Sequence, residues 1–331
     1  MTNFNSENSG EFDLIAKYFA PLARSTPGAF GLTDDAATIS VPPGDEIVIT
    51  ADLLSAGVHF LADDLPVLIA KKALRVNLSD LAAKGAAAHG YLLSLALPRN
   101  LGGAWFEEFA RGLREDQAEF GLSLLGGDTT ATDGPLTVAI TALGLLPKGT
   151  MIRRNGARPG DLVFVSGTIG DSRAGLSILK GEICDGAEHH RTQLVARYQK
   201  PAPRLGLGLR LRGLASAALD VSDGLLGDLA HVAEMSGVRI CVEAERIPLS
   251  DALRICAGVT QSTVLRAATA GDDYEIAFTA PPDRREPILR AAADTATAVS
   301  EIGRVEAGAG VVLLDAEGKD IPVSRGGYTH F

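Results

Sequence analysis

The sequence predicts an α/β protein of two domains, each carrying a mixed β-sheet with flanking helices. Three observations lead there. At 331 residues the chain is long for one hydrophobic core. Hydrophobic residues at 46% against 22% charged, with 37 glycines and 5% aromatics, suit tightly packed α/β layers better than a β-sandwich. Strand-like and helix-like patterns also follow one another in irregular order, which points to mixed sheets rather than a doubly wound parallel one.

The elements follow in order. "EFDLIAKYFAPLA" spaces its apolar residues as a helix does and stops at a proline, before the loop "STPGAFGL". "ATISVPPGDEIVITADLL" reads as two strands joined by a Pro-Pro-Gly-Asp turn. "LPVLIAKKALRVNLSDLAAKGA" is a helix by length and period, with Pro66 near its start and Gly85 past its end. Then come a buried strand, "YLLSLALP", an amphipathic helix, "AWFEEFARGLREDQAEFG", a strand running into a glycine turn, "LSLLGGDTT", and a further strand, "LTVAITALGLL". The Pro-, Gly- and Arg-rich stretch "PKGTMIRRNGARPGD" divides the chain into domains 1–147 and 148–331. Beyond it lie strand "LVFVSG", helices "SRAGLSILKG" and "PRLGLGLRLRGL", and the strand–turn–helix "ALDVSDGLLGDLAHVAEMSGV".

Charge and cysteine content exclude several classes. A formal charge of −10 argues against non-specific binding to nucleic acid or anionic membranes. It does not argue against nucleotides, because bound Mg²⁺ reverses the local sign. Cys184, Cys241 and Cys256 are widely spaced, which fits neither a zinc site nor a disulfide framework and suits a reducing compartment. The polar start "MTNFNSENSG" lacks a signal-peptide core, and no apolar run approaches the roughly 20 residues of a membrane span. A cytoplasmic location is expected.

The chemistry lies in the acidic residues. Asp34 and Asp35, Asp52, Asp80, Asp128, Asp220, Asp223, Asp272 and Asp273 all sit among small or apolar residues, where strands end or helices turn inward. A buried carboxylate must be paired, protonated or bound to metal, and the basic residues are mostly elsewhere. Hard cations answer this best, Mg²⁺ above all if phosphates bind too. Singly, each has a plainer reading: "DVSDG" as a helix cap, "GGD" as a tight turn. Together they favour metal.

There is no GxxxxGK[ST] loop and no HRD or DFG pattern, which removes P-loop enzymes and protein kinases. "LGGDTTATDG" is the loop best suited to anions, since glycines let backbone N–H groups approach phosphate while Asp128 holds a cation. Arg153 and Arg154 could supply fixed positive charge, or could merely be a solvated loop. His59 follows a carboxylate-bearing strand, where a structural role and a substrate contact both stand. No Ser/His/Asp or Cys/His arrangement emerges, so no residue is assigned as a covalent nucleophile.

Read in order, "DDAA", "TADLLSAGVHF", "KALRVNLSDLAAKGA", "LALP", "GLSLLGGDTT", "RNGARPGDLVFVSGTIGDSRAGL", "LDVSDGLLGDLAHVAEMSGV", "GDDYEIAFT" and "GGYTHF" resemble thiamine-monophosphate kinase over nearly the whole chain. The resemblance implies the two-domain fold of aminoimidazole ribonucleotide synthetase, with N-terminal domains that dimerise into a β-barrel. It implies direct in-line transfer of the γ-phosphoryl of ATP to thiamine monophosphate, the last step to thiamine diphosphate, with several Mg²⁺ ions. On this resemblance Asp34, Thr50, Asp52, Asp80, Asp128 and Asp220 are magnesium ligands, and Asp223 holds a further ion. Gly127, Asp128, Arg154 and Ser222 would hold ATP, and His59, Asp272 and Tyr328 would contact thiamine monophosphate.

The chain departs from the family pattern in places. Thr33 replaces the glycine before the paired aspartates, Ala51 replaces a threonine and removes a hydroxyl beside the metal, and Ala56 replaces a glutamate. The arginine after "GGDTT" is missing, and Asp272 is one methylene shorter than the family's glutamate. Relatives of the same fold fit less well: a selenophosphate synthetase wants a reactive residue near its start, and a hydrogenase maturation protein a terminal cysteine. An aminoimidazole ribonucleotide synthetase stays possible by fold, while the "GDDYE" and "GYTHF" pattern speaks for the kinase. A non-catalytic nucleotide- or thiamine-phosphate-binding protein is the alternative from another class, and it predicts binding without turnover.

Overall fold

The first helical pattern folds as α1 (Glu11–Leu14), followed by a π-helical turn at Ile15–Phe19 and a 3₁₀ turn at Ala20–Ala23. Pro21, which has no N–H to offer, sits at the start of that last turn. The computed structural model describes residues 11–182, 186–323 and 326–327. The chain divides into one unit of residues 1–77 and 88–145 and a second of residues 78–87 and 146–331.

The first unit holds β1 (Asp45–Ser55), the start of α2 (Pro66–Ala83), β2 (Ala87–Pro98), α3 (Gly103–Phe120), β3 (Ser123–Thr132) and β4 (Thr137–Pro147). Its sheet runs β1-β4-β2-β3, with β2 and β3 parallel and joined through α3, the crossover that parallel strands need. Of the two strands expected in "ATISVPPGDEIVITADLL", only the second forms. The Thr38 N–H goes instead to the Gly28 carbonyl at 2.8 Å, and Pro42 and Pro43 bring no N–H to a ladder. Helix α2 ends as its glycine announces: Gly85 has φ +70°, its N–H bonds the Ala82 carbonyl, and the Ala86 N–H reaches back to Leu81.

The second unit carries β5 (Leu162–Ser166), α4 (Asp171–Leu179), α5 (Glu188–Gln199), α6 (Leu205–Leu211), β6 (Ala217–Asp220) and α7 (Leu225–Ser236). It continues with β7 (Arg239–Glu243), α8 (Asp251–Ala257), α9 (Gln261–Thr269), β8 (Ile276–Ala280), α10 (Arg285–Asp294), β9 (Val299–Glu306), β10 (Gly310–Leu314) and β11 (Asp320–Ile321). The sheet order is β11-β10-β7-β9-β5-β8-β6. The β10–β7 pair is parallel and its other ladders are antiparallel, so the sheet is mixed, as expected.

Both faces of this sheet are buried, and the strand period of two sorts the side chains. Val163, Val165, Leu219 and Ala277 join one core with α7 residues Leu225, Leu229 and Val232. Phe164, Ala218, Ile276 and Phe278 face the other way, against Leu207 and Leu211 of α6 and Ile288 of α10. Phe164 and Phe278 are register partners across β5 and β8 and stack with centroids 5.2 Å apart. These two layers hold the end of β6 rigid, where the loop "DVSDG" begins.

Candidate active site

In the first unit, strand alternation decides which residues of β1 act together. Thr50 and Asp52 are half-buried on one face, while Ile49, Ala51 and Leu53 are exposed on the other. Ala51 therefore points away from Thr50 and Asp52. A threonine at position 51 would carry its hydroxyl on the face opposite Thr50 and Asp52. His59 is half-buried after β1, and its Nδ1 accepts the Ser55 N–H at 3.0 Å. That bond places the ring proton of the neutral imidazole on Nε2.

Asp34 and Asp35 occupy a bend and are exposed, with Asp34 Oδ1 accepting the Asp35 N–H at 2.8 Å. The turn before them is strained: Phe30 and Leu32 take φ of 49° and 59°, where side chains rarely settle. "GGD" is not the tight turn expected. β3 runs straight through it, opposing Gly127 to Leu93 and Asp128 to Ser94. Gly127 is required by closeness, because a Cβ there would lie 1.7 Å from the Leu93 carbonyl oxygen. Asp128 is exposed on this edge strand. Burial was expected of all the acidic positions, but Asp34, Asp35 and Asp128 are at the surface.

In the second unit, two groups assemble. The first lies at the end of α2 and β6. Asp80 is half-buried in the last turn of α2, and Asp220 is 6% exposed as the last residue of β6. Lys84 stands with them, its Nζ donating to the Ala218 carbonyl at 2.8 Å. Burial pulls the Lys84 ammonium down to about 8; the positive charge of exposed Arg154 pushes the same way, while Asp220 and Asp80 oppose it. Sequence reading missed Lys84, although its spacing of four from Asp80 on a helix was a usable signal.

The second group joins the β6–α7 turn to the loop before β8. The Asp272 N–H bonds the Ser222 carbonyl at 2.8 Å, and the Tyr274 N–H bonds that of Val221, also at 2.8 Å. Asp272 and Tyr274 both have positive φ, 73° and 52°, and the Tyr274 hydroxyl donates to Asp272 Oδ1 at 3.1 Å. Asp228, also missed, fixes the turn from within α7. Its Oδ2 accepts the N–H groups of Ser222, Asp223 and Gly224 at 3.0 to 3.1 Å. An acidic residue in a helix's first turn was the available signal. Burial pushes the Asp228 carboxyl up to about 7, Asp223 adds to this, and the three N–H donors oppose it.

"GDDYE" therefore divides in two. Asp272 borders the turn, whereas Asp273 and Glu275 are buried struts. Asp273 accepts the Gly170 N–H at 2.7 Å, and burial raises its carboxyl well above the usual range. Glu275 accepts from Arg204 through Nε and Nη2, from Arg197 at 2.8 Å and from the Ser166 hydroxyl at 2.6 Å. Tyr328 lies outside the described residues, but Gly326 and Gly327 are seated against Gly227 of α7, with Gly327 also close to the Asp223 carbonyl.

The residues expected to ligate metal all offer hard oxygens, the set that suits Mg²⁺. Among the described residues no three His, Cys, Asp or Glu side chains form a cage. Mg²⁺ is commonly bound by one or two carboxylates, with phosphate and water completing its shell.

Comparison with known proteins extends this picture. The pattern of the AIR synthase related protein N-terminal domain matches residues 33–146, and that of the C-terminal domain matches residues 158–315. The thiamine-monophosphate kinase of Caulobacter vibrioides is 46% identical over 97% of this chain and 90% of its own length. The crystal structure of thiamine-monophosphate kinase from Stenotrophomonas maltophilia is 37% identical and superimposes with a TM-score of 0.82, over 92% of this chain and 98% of that one. A structure described as AaThiL complexed with AMPPCP and TMP is 33% identical, with a TM-score of 0.77, and covers 99% of this chain and 100% of that one.

Proposed function

The chain belongs to the thiamine-monophosphate kinases of the AIR synthase related family, and on that premise we infer how its residues divide the work of phosphorylating thiamine monophosphate with ATP. The reaction breaks the bond between the γ-phosphorus of ATP and the β–γ bridging oxygen. A phosphate oxygen of thiamine monophosphate forms the new P–O bond, and the electrons of the broken bond leave on ADP. A phosphate monoester is largely dianionic at neutral pH, with a second pKa of about 6. The acceptor oxygen therefore needs no general base, and no covalent nucleophile is assigned.

The observation that carries this reading is the 2.8 Å bond from the Asp272 N–H to the Ser222 carbonyl. Ser222 is the residue we assign to ATP and Asp272 the one we assign to thiamine monophosphate. One backbone bond thus keeps donor-side and acceptor-side loops in register, and in-line transfer depends on such positioning. Asp228 fixes the Ser222–Asp223 turn by accepting the N–H groups of Ser222, Asp223 and Gly224. Gly127, Asp128 and Arg154 complete the ATP contacts, while His59, through Nε2–H, and Tyr328 complete those to the acceptor.

Magnesium, when bound, neutralises the phosphates and the charge that develops between them. Asp34, Thr50, Asp52, Asp80, Asp128, Asp220 and Asp223 are the residues we assign to hold magnesium ions. A cytoplasmic homodimer is part of the same proposal. β1 is an edge strand whose Ile49 and Leu53 are 63% and 61% exposed, a face that a partner would cover. No helix among the described residues is long and apolar enough to cross a membrane.

Steady-state kinetics of two variants test the division of labour. Asp272→Asn should raise KM for thiamine monophosphate about tenfold and leave that for ATP within a factor of two, the loss of roughly one charge-assisted hydrogen bond. Ser222→Ala should do the reverse. Equal effects of both variants on both substrates would sink the assignment.

A further inference from the structure

We propose that Lys84 is a positioning residue which offsets part of the charge of Asp80 and Asp220 until the nucleotide arrives, so that free Mg²⁺ binds this pair weakly and enters with ATP. The proposal rests on the reading of Asp80 and Asp220 as magnesium ligands and adds a residue to it. The geometry is specific. The backbone of Lys84 is fixed, since its N–H bonds the Asp80 carbonyl at 3.1 Å and Gly85 closes the helix behind it. Its ammonium is fixed too, donating at 2.8 Å to the carbonyl of Ala218, two residues before Asp220 on β6. The charges that act on it are the carboxylates of Asp220 and Asp80, which favour the ammonium, and the guanidinium of Arg154, which opposes it.

Physical chemistry makes this placement consequential. Asp220 is buried at the end of a strand, and a buried carboxylate without a counter-charge is strongly unfavourable. Lys84 supplies that counter-charge from the first turn beyond α2, where a cation also suits the helix C-terminus. The same ammonium repels a bare divalent cation. It attracts Mg·ATP, which carries net negative charge, so the resident lysine and the arriving complex are complementary where lysine and free ion are not.

The test compares wild type with Lys84→Met and Lys84→Arg, using MgCl₂ alone as the probe, by calorimetric titration and by melting in EDTA or in Mg²⁺. Lys84→Met should melt about 5 °C or more below wild type in EDTA and recover in Mg²⁺. It should also bind free Mg²⁺ about tenfold more tightly, the effect of removing one nearby like charge. Lys84→Arg should behave as wild type. Melting and Mg²⁺ affinity unchanged in Lys84→Met would overturn the proposal and leave the ligand reading intact. A lower melting point that Mg²⁺ does not restore would overturn it through that reading, because the pair would not be a magnesium site. Should Lys84→Met not fold, Lys84→Met/Asp220→Asn should, since the charge needing compensation is gone; failure of the double variant would also overturn the proposal.

Discussion

Glu275→Gln should cost stability and leave substrate affinity alone. The side chain is fully buried, with a forked contact to Arg204, a 2.8 Å contact to Arg197 and a 2.6 Å bond from the Ser166 hydroxyl. Glutamine keeps the shape but turns an NH₂ toward a guanidinium and leaves two arginines without their shared counter-charge. Breaking a buried pair this way costs about 3–5 kcal/mol. The Arg197 and Arg204 side chains are 16% and 23% exposed, so water screens part of the loss and the lower end, about 3 kcal/mol, applies. For a unit of this size that is a fall in Tm of roughly 6–12 °C. Calorimetry gives Tm, and kinetics at 20 °C, well below the transition, give KM. A fall under about 2 °C would refute the magnitude. A raised KM for thiamine monophosphate at unchanged Tm would refute the division of "GDDYE" into strut and contact.

Other outcomes follow from the same reasoning. Asp128→Asn should lower turnover by about a hundredfold or more while Tm shifts by under about 1 °C, because the side chain is exposed on β3; parallel melts and turnover assays check this. Gly127→Ala should destabilise by roughly 2–3 kcal/mol in chemical denaturation, because its Cβ would meet the Leu93 carbonyl at 1.7 Å. Asp273 gives a pH test. Its folded-state pKa is raised by burial, so its contribution to stability is full at low pH and declines as pH rises through the folded value. The stability of wild type relative to Asp273→Asn should therefore fall from pH 5 to pH 8, as denaturant titrations at both would show.

Much of the fold was legible because apolar period and glycine or proline punctuation agree. Helix α2 starts at Pro66 and closes at Gly85 as its sequence says, and "ALDVSDGLLGDL" folds as strand, turn and helix. Where the reading failed, a non-local partner decided. "GGD" looked like a turn, yet β2 pairs alongside and draws Gly127 into the ladder. The strand expected before Pro42 is lost because its N–H at Thr38 is taken by Gly28. The site was legible as a list of carboxylates and not as an arrangement. Only the folded chain shows that Ala51 faces away from Asp52, that Asp273 and Glu275 are struts, and that Lys84 reaches β6 from 134 residues away in sequence.

Phosphorylation of thiamine monophosphate by this chain is measured by incubating the protein with Mg·ATP, with and without thiamine monophosphate, and following ADP and thiamine diphosphate together by chromatography. Equal amounts of ADP and thiamine diphosphate should form, and ADP formation should depend on the acceptor. ADP released without thiamine diphosphate, or thiamine monophosphate bound with no turnover, would contradict it.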